Sequence, residues 1–287
     1  LLFVWHGAGC ESPEPPAPAA AGGGFPSFVS GDECLFCHRE KVGTSWQADR
    51  HNRTIRPALP EEPAVRALTG HPEVEFLLGA ADRAHYLKSS GYGRLALLSV
   101  AWREGRLTDP AVPDWDPSKF QRSCAGCHTT AYDPVEERFA VRSLDCFVCH
   151  GDVPLEHARE PVKALLARGR ADSPRTIASI CGRCHLRGGA SFPDRFVPGD
   201  DLFAAVRIDG SDATLGRADR HVLHNVRDIV ERGEASVTCL SCHRIHDPAA
   251  ARHAAVPAGP ICAICHPGGR VKEPAYPPDR RSPICEP

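Results

Sequence analysis

Residues 124–150 read CAGCHTTAYDPVEERFAVRSLDCFVCH. Twice in this stretch a Cys-x-x-Cys pair runs straight into a histidine, at Cys124, Cys127 and His128 and again at Cys146, Cys149 and His150. Four further copies keep the rule. They are Cys34, Cys37 and His38; Cys181, Cys184 and His185; Cys239, Cys242 and His243; and Cys262, Cys265 and His266. With 15 His in 287 residues, six such coincidences would have odds on the order of one in 10⁷ to 10⁸, so chance is set aside. A structural zinc site also uses paired cysteines, but it has no need of a His after each pair. A thioredoxin-like dithiol needs one motif on a βαβ unit, not six. Two thiols that add to porphyrin vinyl groups do need the adjacent imidazole, because the residue after the second thioether lies under the iron. The pattern predicts six covalent c-type haems, with zinc knuckles or a disulfide framework as the rivals.

Composition agrees with a chain built around a cofactor. Aromatic residues make up 7% and hydrophobic residues 42%, while Gly numbers 25 and Pro 27. That is thin material for an ordinary core and rich material for loops. Six macrocycles would supply the missing apolar surface, and without them the chain is expected to be largely unfolded. A formal net charge of −2 points neither to nucleic acid nor to an anionic membrane surface. Of 34 cationic residues only five are Lys, at 41, 88, 119, 163 and 272. Arg forks suit haem propionates, although compositional drift explains most of that bias.

Haem attachment to thiols is extracytoplasmic chemistry, which places the chain in the periplasm or at the cell surface. The N-terminus fits: Leu1–Trp5 is apolar, and small residues Ala8 and Gly9 precede Cys10, like the end of a secretion signal. Cys10 is a candidate lipid tether, with an incidental signal-peptide Cys as the equal alternative, since Gly7 stands where Leu is usual. Residues 11–26, ESPEPPAPAAAGGGFP, then read as a linker. Cys285-Glu286-Pro287 would open a seventh motif if the chain continues past Cys285 with Cys-His.

Three regions are expected: a leader and linker over 1–30, a four-motif region over 31–190, and a two-motif region with a Pro-rich tail over 191–287. The motif starts lie 90, 22, 35, 58 and 23 residues apart, so no fixed repeat exists. Asp32 is placed to cap the turn that carries the first motif. Val42–Arg50 fits a short helix presenting Trp46, and the gap between the first two motifs carries strand-like runs at Val74–Leu78, His85–Leu87 and Arg94–Trp102. Pro110–Pro117 reads as a loop and Pro161–Arg168 as a short helix. RADRHVLHNVRDIVERG reads as a helix of about three turns, with Val222, Val226, Ile229 and Val230 on one side and Gly233 at its end. The predicted fold class is mainly α with long loops and a small β element at about 74–102. It has little regular secondary structure and is organised around stacked haems.

The absence of Met decides the ligand field. Haem iron in such sites commonly takes His/Met or His/His, and Met raises the potential. With no Met, every six-coordinate iron must be bis-His, and the potentials low. His38, His128, His150, His185, His243 and His266 are the proximal ligands. Of the other nine, His51, His157, His246, His85, His221 and His224 are the distal candidates, with His71 and His253 in reserve and His6 in the leader. His157 is the nearest candidate in sequence to His128 and His150, but the sequence does not say which imidazole serves which iron.

Several segments carry a wider resemblance: ECLFCHREKVGTSWQADRH, GRLALLSVAW, SCAGCHTTAYDP, LDCFVCHGDVPLEH and ICGRCHLRGG, together most of 31–190. They resemble the multihaem c-type cytochromes similar to the tetrahaem cytochrome of nitrifying bacteria, and the related large cytochromes with tetratricopeptide repeats. CLSCHRIHDP and ICAICHP are similar to segments of the latter. The resemblance implies a loop-rich, mainly α fold with stacked haems, and distal roles for His51 and His157 by matched position. Six motifs exceed the tetrahaem pattern, and no repeat array follows.

The expected function is electron relay between donor and acceptor proteins, by single protomers or by an oligomer or filament. The rival is an oxidoreductase with one open haem acting on nitrite, hydroxylamine or a sulfur oxyanion. No C-x-x-C-K motif supports it, and Tyr86, Tyr92, Tyr132 and Tyr276 lack a diagnostic context.

Overall fold

The structure is a computed structural model that describes residues 31–246, apart from 69, 71–72, 109–111, 187–195, 207, 209–216 and 233–237. The sixth motif, with Cys262, Cys265 and His266, lies outside the described residues. So do His6, Cys10, His71, His253, Gly233 and Cys285.

The chain enters as one helical run: α1 (Gly31–His38), a wider turn over Arg39–Gly43, and α2 (Thr44–Ala48). Asp32 lies in the first turn rather than capping it, and Trp46 is buried as its position on the apolar side requires. Next comes a six-stranded antiparallel sheet. Its spine is β1 (Ile55–Pro57), β2 (Phe76–Ala80), β3 (Arg83–Ser89), β4 (Leu95–Arg103) and β5 (Arg106–Leu107), and β6 (Trp115–Asp116) also pairs with β4. The three predicted strands are β2 to β4. The flanking short strands escaped prediction because two or three residues carry no readable alternation. One of them, β6, lies inside the stretch Pro110–Pro117 read as loop.

Both faces of this sheet are covered. Leu78, Leu87, Leu95 and Leu97 face Phe120, Ala125 and Cys124 of the second motif. Leu77, Tyr86, Leu98, Val100 and Trp102 face Ala64 of α3 (Pro63–Ala67). Alternation along β3 and β4 lets them serve both faces, and their register shifts between His85 and Leu87. Tyr86 is wholly buried and donates its hydroxyl to the Ala64 carbonyl at 2.6 Å, so burial pushes its phenol up to about 12.

After the sheet come α4 (Gly126–His128) and the two-stranded pair β7 (Thr129–Thr130) with β8 (Val141–Arg142). Then follow α5 (Phe147–His150) and α6 (Pro174–His185), which starts on a Ser173 cap that accepts from the Thr176 N–H. Pro161–Arg168 is not a helix. A single tight turn at Pro161–Lys163 gives way to extended backbone at Ala164 and to φ of 58° at Leu166. Asp172 holds that bend by accepting the Leu166 N–H at 2.8 Å.

A third apolar cluster joins α6, α7 (Leu202–Ala205) and α8 (Arg217–Arg232) through Ala178, Leu186, Leu202, Leu223, Val226 and Ile229. The predicted helix is thus present, at 16 residues instead of about three turns. The last described helix is α9 (Cys239–Cys242). The architecture is the expected one: short helices and loops, with one small sheet and a smaller one beside it.

Candidate metal centres

All five described motifs are helical at the cysteine pair, with the histidine at or just past the end of an α-helical segment. His38 ends α1, His128 ends α4, His150 ends α5 and His185 ends α6, while His243 is the residue after α9. Helical spacing puts the two cysteines, three apart, on one side, and the His follows one residue later. The ten cysteines of these motifs are free thiols; Cys37 is exposed and the other nine are partly buried. In the first motif only Cys34 is drawn inward, by its hydrogen bond with Cys146, and Cys37 is left facing solvent. Burial pushes the Cys149 thiol up to about 11, with the negative charge of Asp49 adding to it. A hydrogen bond with Cys239 and burial raise Cys181, and a hydrogen bond with Cys127 and burial raise Cys184. Raised thiols of this kind are poor nucleophiles for disulfide exchange, whereas hydrogen bonds from Cys146 and Cys181 lower Cys34 and Cys239.

The motifs lie against one another. Cys34 and Cys146 share a hydrogen bond, as do Cys127 with Cys184 and Cys181 with Cys239. Asp145 fastens the first motif to the third: its carboxylate accepts the Gly31 N–H at 2.7 Å and the Cys146 N–H at 2.6 Å. Residue 31 must be glycine for this, because a Cβ there would collide with the Asp145 carboxylate. The link after α2 is sewn to the same region. Ser143 Oγ accepts from the Ile55 N–H and donates to its carbonyl, and the Leu144 N–H reaches the His51 carbonyl at 3.2 Å.

Among the described residues, three pairs of imidazoles can be named. His38 and His157 have ring centroids 6.0 Å apart with planes at 29°. His51 and His185 are 6.1 Å apart at 80°, and His150 and His246 are 6.1 Å apart at 7°. Each pair joins a motif histidine to a candidate distal one. The distance lies within the range of ordinary ring contacts and also suits a metal between the rings. With metal–nitrogen bonds of about 2.0–2.1 Å and a nitrogen about 1.1 Å from its ring centre, two imidazoles across one iron have centroids roughly 6.2 Å apart.

The far ring nitrogens are held as ligation requires. His150 Nδ1 lies 2.6 Å from the Leu165 carbonyl and His157 Nδ1 lies 2.7 Å from the Pro154 carbonyl. A carbonyl only accepts, so Nδ1 carries the proton and Nε2 keeps its lone pair. His51 Nδ1 instead meets the buried carboxylate of Asp49 at 3.1 Å. Trp46 packs edge-on against His246 at 5.8 Å. The rings themselves are half-buried or exposed, leaving room beside them for a flat group. The residues present therefore fit a bis-imidazole haem.

The remaining candidates are His85, His221 and His224. His85 is in β3, opposite Leu78 on the sheet face that covers the second motif, and burial with the nearby charges of Arg103 and Lys119 lowers its pKa. His224 is exposed on α8, the helix that also contains His221. His157, the nearest candidate in sequence to His150, pairs with His38, and His150 takes His246 from the C-terminal side. Asp49 and Asp145 were missed by the sequence reading. Their signals are an Asp two residues before a candidate ligand and an Asp directly before a motif cysteine.

No known protein family matches the chain, and no curated protein matches it. Among solved structures, an undecahaem cytochrome from the S-layer of Carboxydothermus ferrireducens is similar in fold, with a TM-score of 0.50 and 16% identity. The match covers 85% of this chain and 44% of that one, so this chain spans less than half of its length. The fold is accordingly of the multihaem cytochrome kind.

Proposed function

We propose that this chain is an extracytoplasmic c-type cytochrome that binds six haems, with bis-His irons, and relays electrons between partner proteins. The observation that carries the reading is the set of three imidazole pairs at 6.0–6.1 Å. Support comes from the six motifs, the lack of Met, and the fold shared with a protein described as an undecahaem cytochrome. The pairings of His38 with His157, His51 with His185 and His150 with His246 belong to this proposal. So do the covalent roles of the twelve motif cysteines, the exposed Cys37 and the sixth-motif pair Cys262 and Cys265 among them. Distal roles for His85, His221 and His224 at the remaining irons, and kinship with the nitrifier tetrahaem cytochromes, are part of it too.

The haems would supply reversible one-electron exchange. The chain's own residues do the rest. Short helical turns hold each cysteine pair beside its histidine, carbonyls orient opposing imidazoles, and the Asp145 clamp keeps the first and third motifs close. Attachment chemistry and the S-layer origin of the structural neighbour support an exterior location. Among the described residues no helix is long and apolar enough to cross a membrane.

The test is a spin-state spectrum with a pyridine-haemochrome count on the purified protein. Six haems per chain, all low-spin, is the expected result, with a seventh if the chain continues past Cys285. A substantial high-spin, CO-binding fraction in the native protein would overturn the relay in favour of an open catalytic haem. A colourless protein would restore zinc.

A further inference from the structure

In each imidazole pair one ring has a named support. His157 rests on the Pro154 carbonyl, at 2.7 Å. In the His150–His246 pair, the motif histidine rests on the Leu165 carbonyl at 2.6 Å. In the His51–His185 pair the support is a carboxylate. Asp49 Oδ1 lies 3.1 Å from His51 Nδ1 and also accepts the His51 backbone N–H at 2.7 Å. Asp49 is 1% exposed, and the Trp46 carbonyl accepts its backbone N–H at 3.0 Å. Its position and its ring contact are therefore built into the end of α2.

We infer that Asp49 is a positioning residue that lowers the potential of the His51–His185 centre. The inference rests on the haem reading above. An imidazole whose far N–H is bonded to a carboxylate is a more basic ligand than one bonded to a neutral carbonyl. A buried negative charge close to the metal also favours the oxidised, more positive state. Both effects have the same sign. Both need the charge, whereas the backbone contact to Oδ1 that shapes the turn could be kept by an amide oxygen.

The ring planes supply a label for the centre under test. At His51–His185 they cross at 80°, against 29° and 7° in the other pairs. Crossed rings leave the two iron d orbitals that face them nearly degenerate and give a large-g ferric signal, whereas near-parallel rings split them and give a rhombic one. A potentiometric titration followed by electron paramagnetic resonance can thus report this couple separately in the haem-loaded chain.

The variants are Asp49→Asn, which keeps a side chain of the same shape without the charge, and Asp49→Ala. In Asp49→Asn the oxidised-to-reduced ratio of the large-g centre at fixed potential is expected to fall about tenfold, an upward shift of about 59 mV for one electron, with the rhombic signals unmoved. Asp49→Ala is expected to add a high-spin fraction at this centre alone. An unmoved large-g couple in a low-spin Asp49→Asn protein overturns the inference, as do a uniform shift of all couples and a wild-type spectrum without a large-g signal. A wild type that lacks six low-spin haems instead overturns the proposed function, so the two failures are separable.

Discussion

The sheet and the histidine-bearing turns are held together by different physics. Residues of the sheet bury Leu77, Tyr86, Leu87, Leu95 and Leu98 almost completely, in two apolar clusters. The turns around the first, third and fourth motifs gather buried carboxylates, Asp49 and Asp145, and imidazoles that are half-buried or exposed. The first region carries its own hydrophobic driving force. Under the proposed function the second receives a large apolar plate, and its stability is coupled to binding that plate. On that proposal the sheet is a scaffold that can fold early and the turns wait for their cofactor.

The hardest test of that contrast is to withhold haem. A chain made without haem attachment is expected to lose amide protection across α1, α2 and α5 while retaining it in β2, β3 and β4, as hydrogen exchange would show. Uniform loss or uniform retention breaks the comparison. A single ligand comes next. His246→Ala should convert one haem to a high-spin, CO-binding form without unfolding the sheet, read by absorbance and circular dichroism. Conversion of no haem would remove the His150–His246 assignment.

The sheet should respond in the opposite way. Leu77→Ala is expected to cost about 2–5 kcal/mol in a denaturant titration, as large-to-small changes in buried sites do, while every haem stays low-spin. The smallest effect belongs to Tyr86. Its phenol lies above the ordinary value of 10.0, at about 12. The unfolded chain therefore releases this proton first, and stability that is complete below pH 10 is lost as pH rises toward 12. Tyr86→Phe should flatten that alkaline slope and cost about 1 kcal/mol at neutral pH through the lost hydrogen bond to Ala64.

Legibility followed the same divide between local and distant. The motif turns and the central strands could be read because each rests on spacing within a few residues: i to i+4 in Cys124–His128, alternation in His85–Leu87. Pro161–Arg168 misled because its composition permits a helix, and the bend at Leu166 depends on Asp172 reaching back to its N–H. The partner of each histidine was beyond reach. His38 and His157 are 119 residues apart, His51 and His185 are 134, and His150 and His246 are 96. No local pattern encodes such a pairing.

What the amino-acid sequence determined alone is the chemistry available: thiol pairs with an adjacent imidazole, and no Met to compete for iron. Those follow from residue type and short spacing, which survive any folding. The tertiary structure decided which imidazoles face each other, at what angle, and which of them rests on a carboxylate instead of a carbonyl. Those are matters of distance between segments remote in the chain, set by the packing of helical turns, the Asp145 clamp and the links from Ser143 to Ile55.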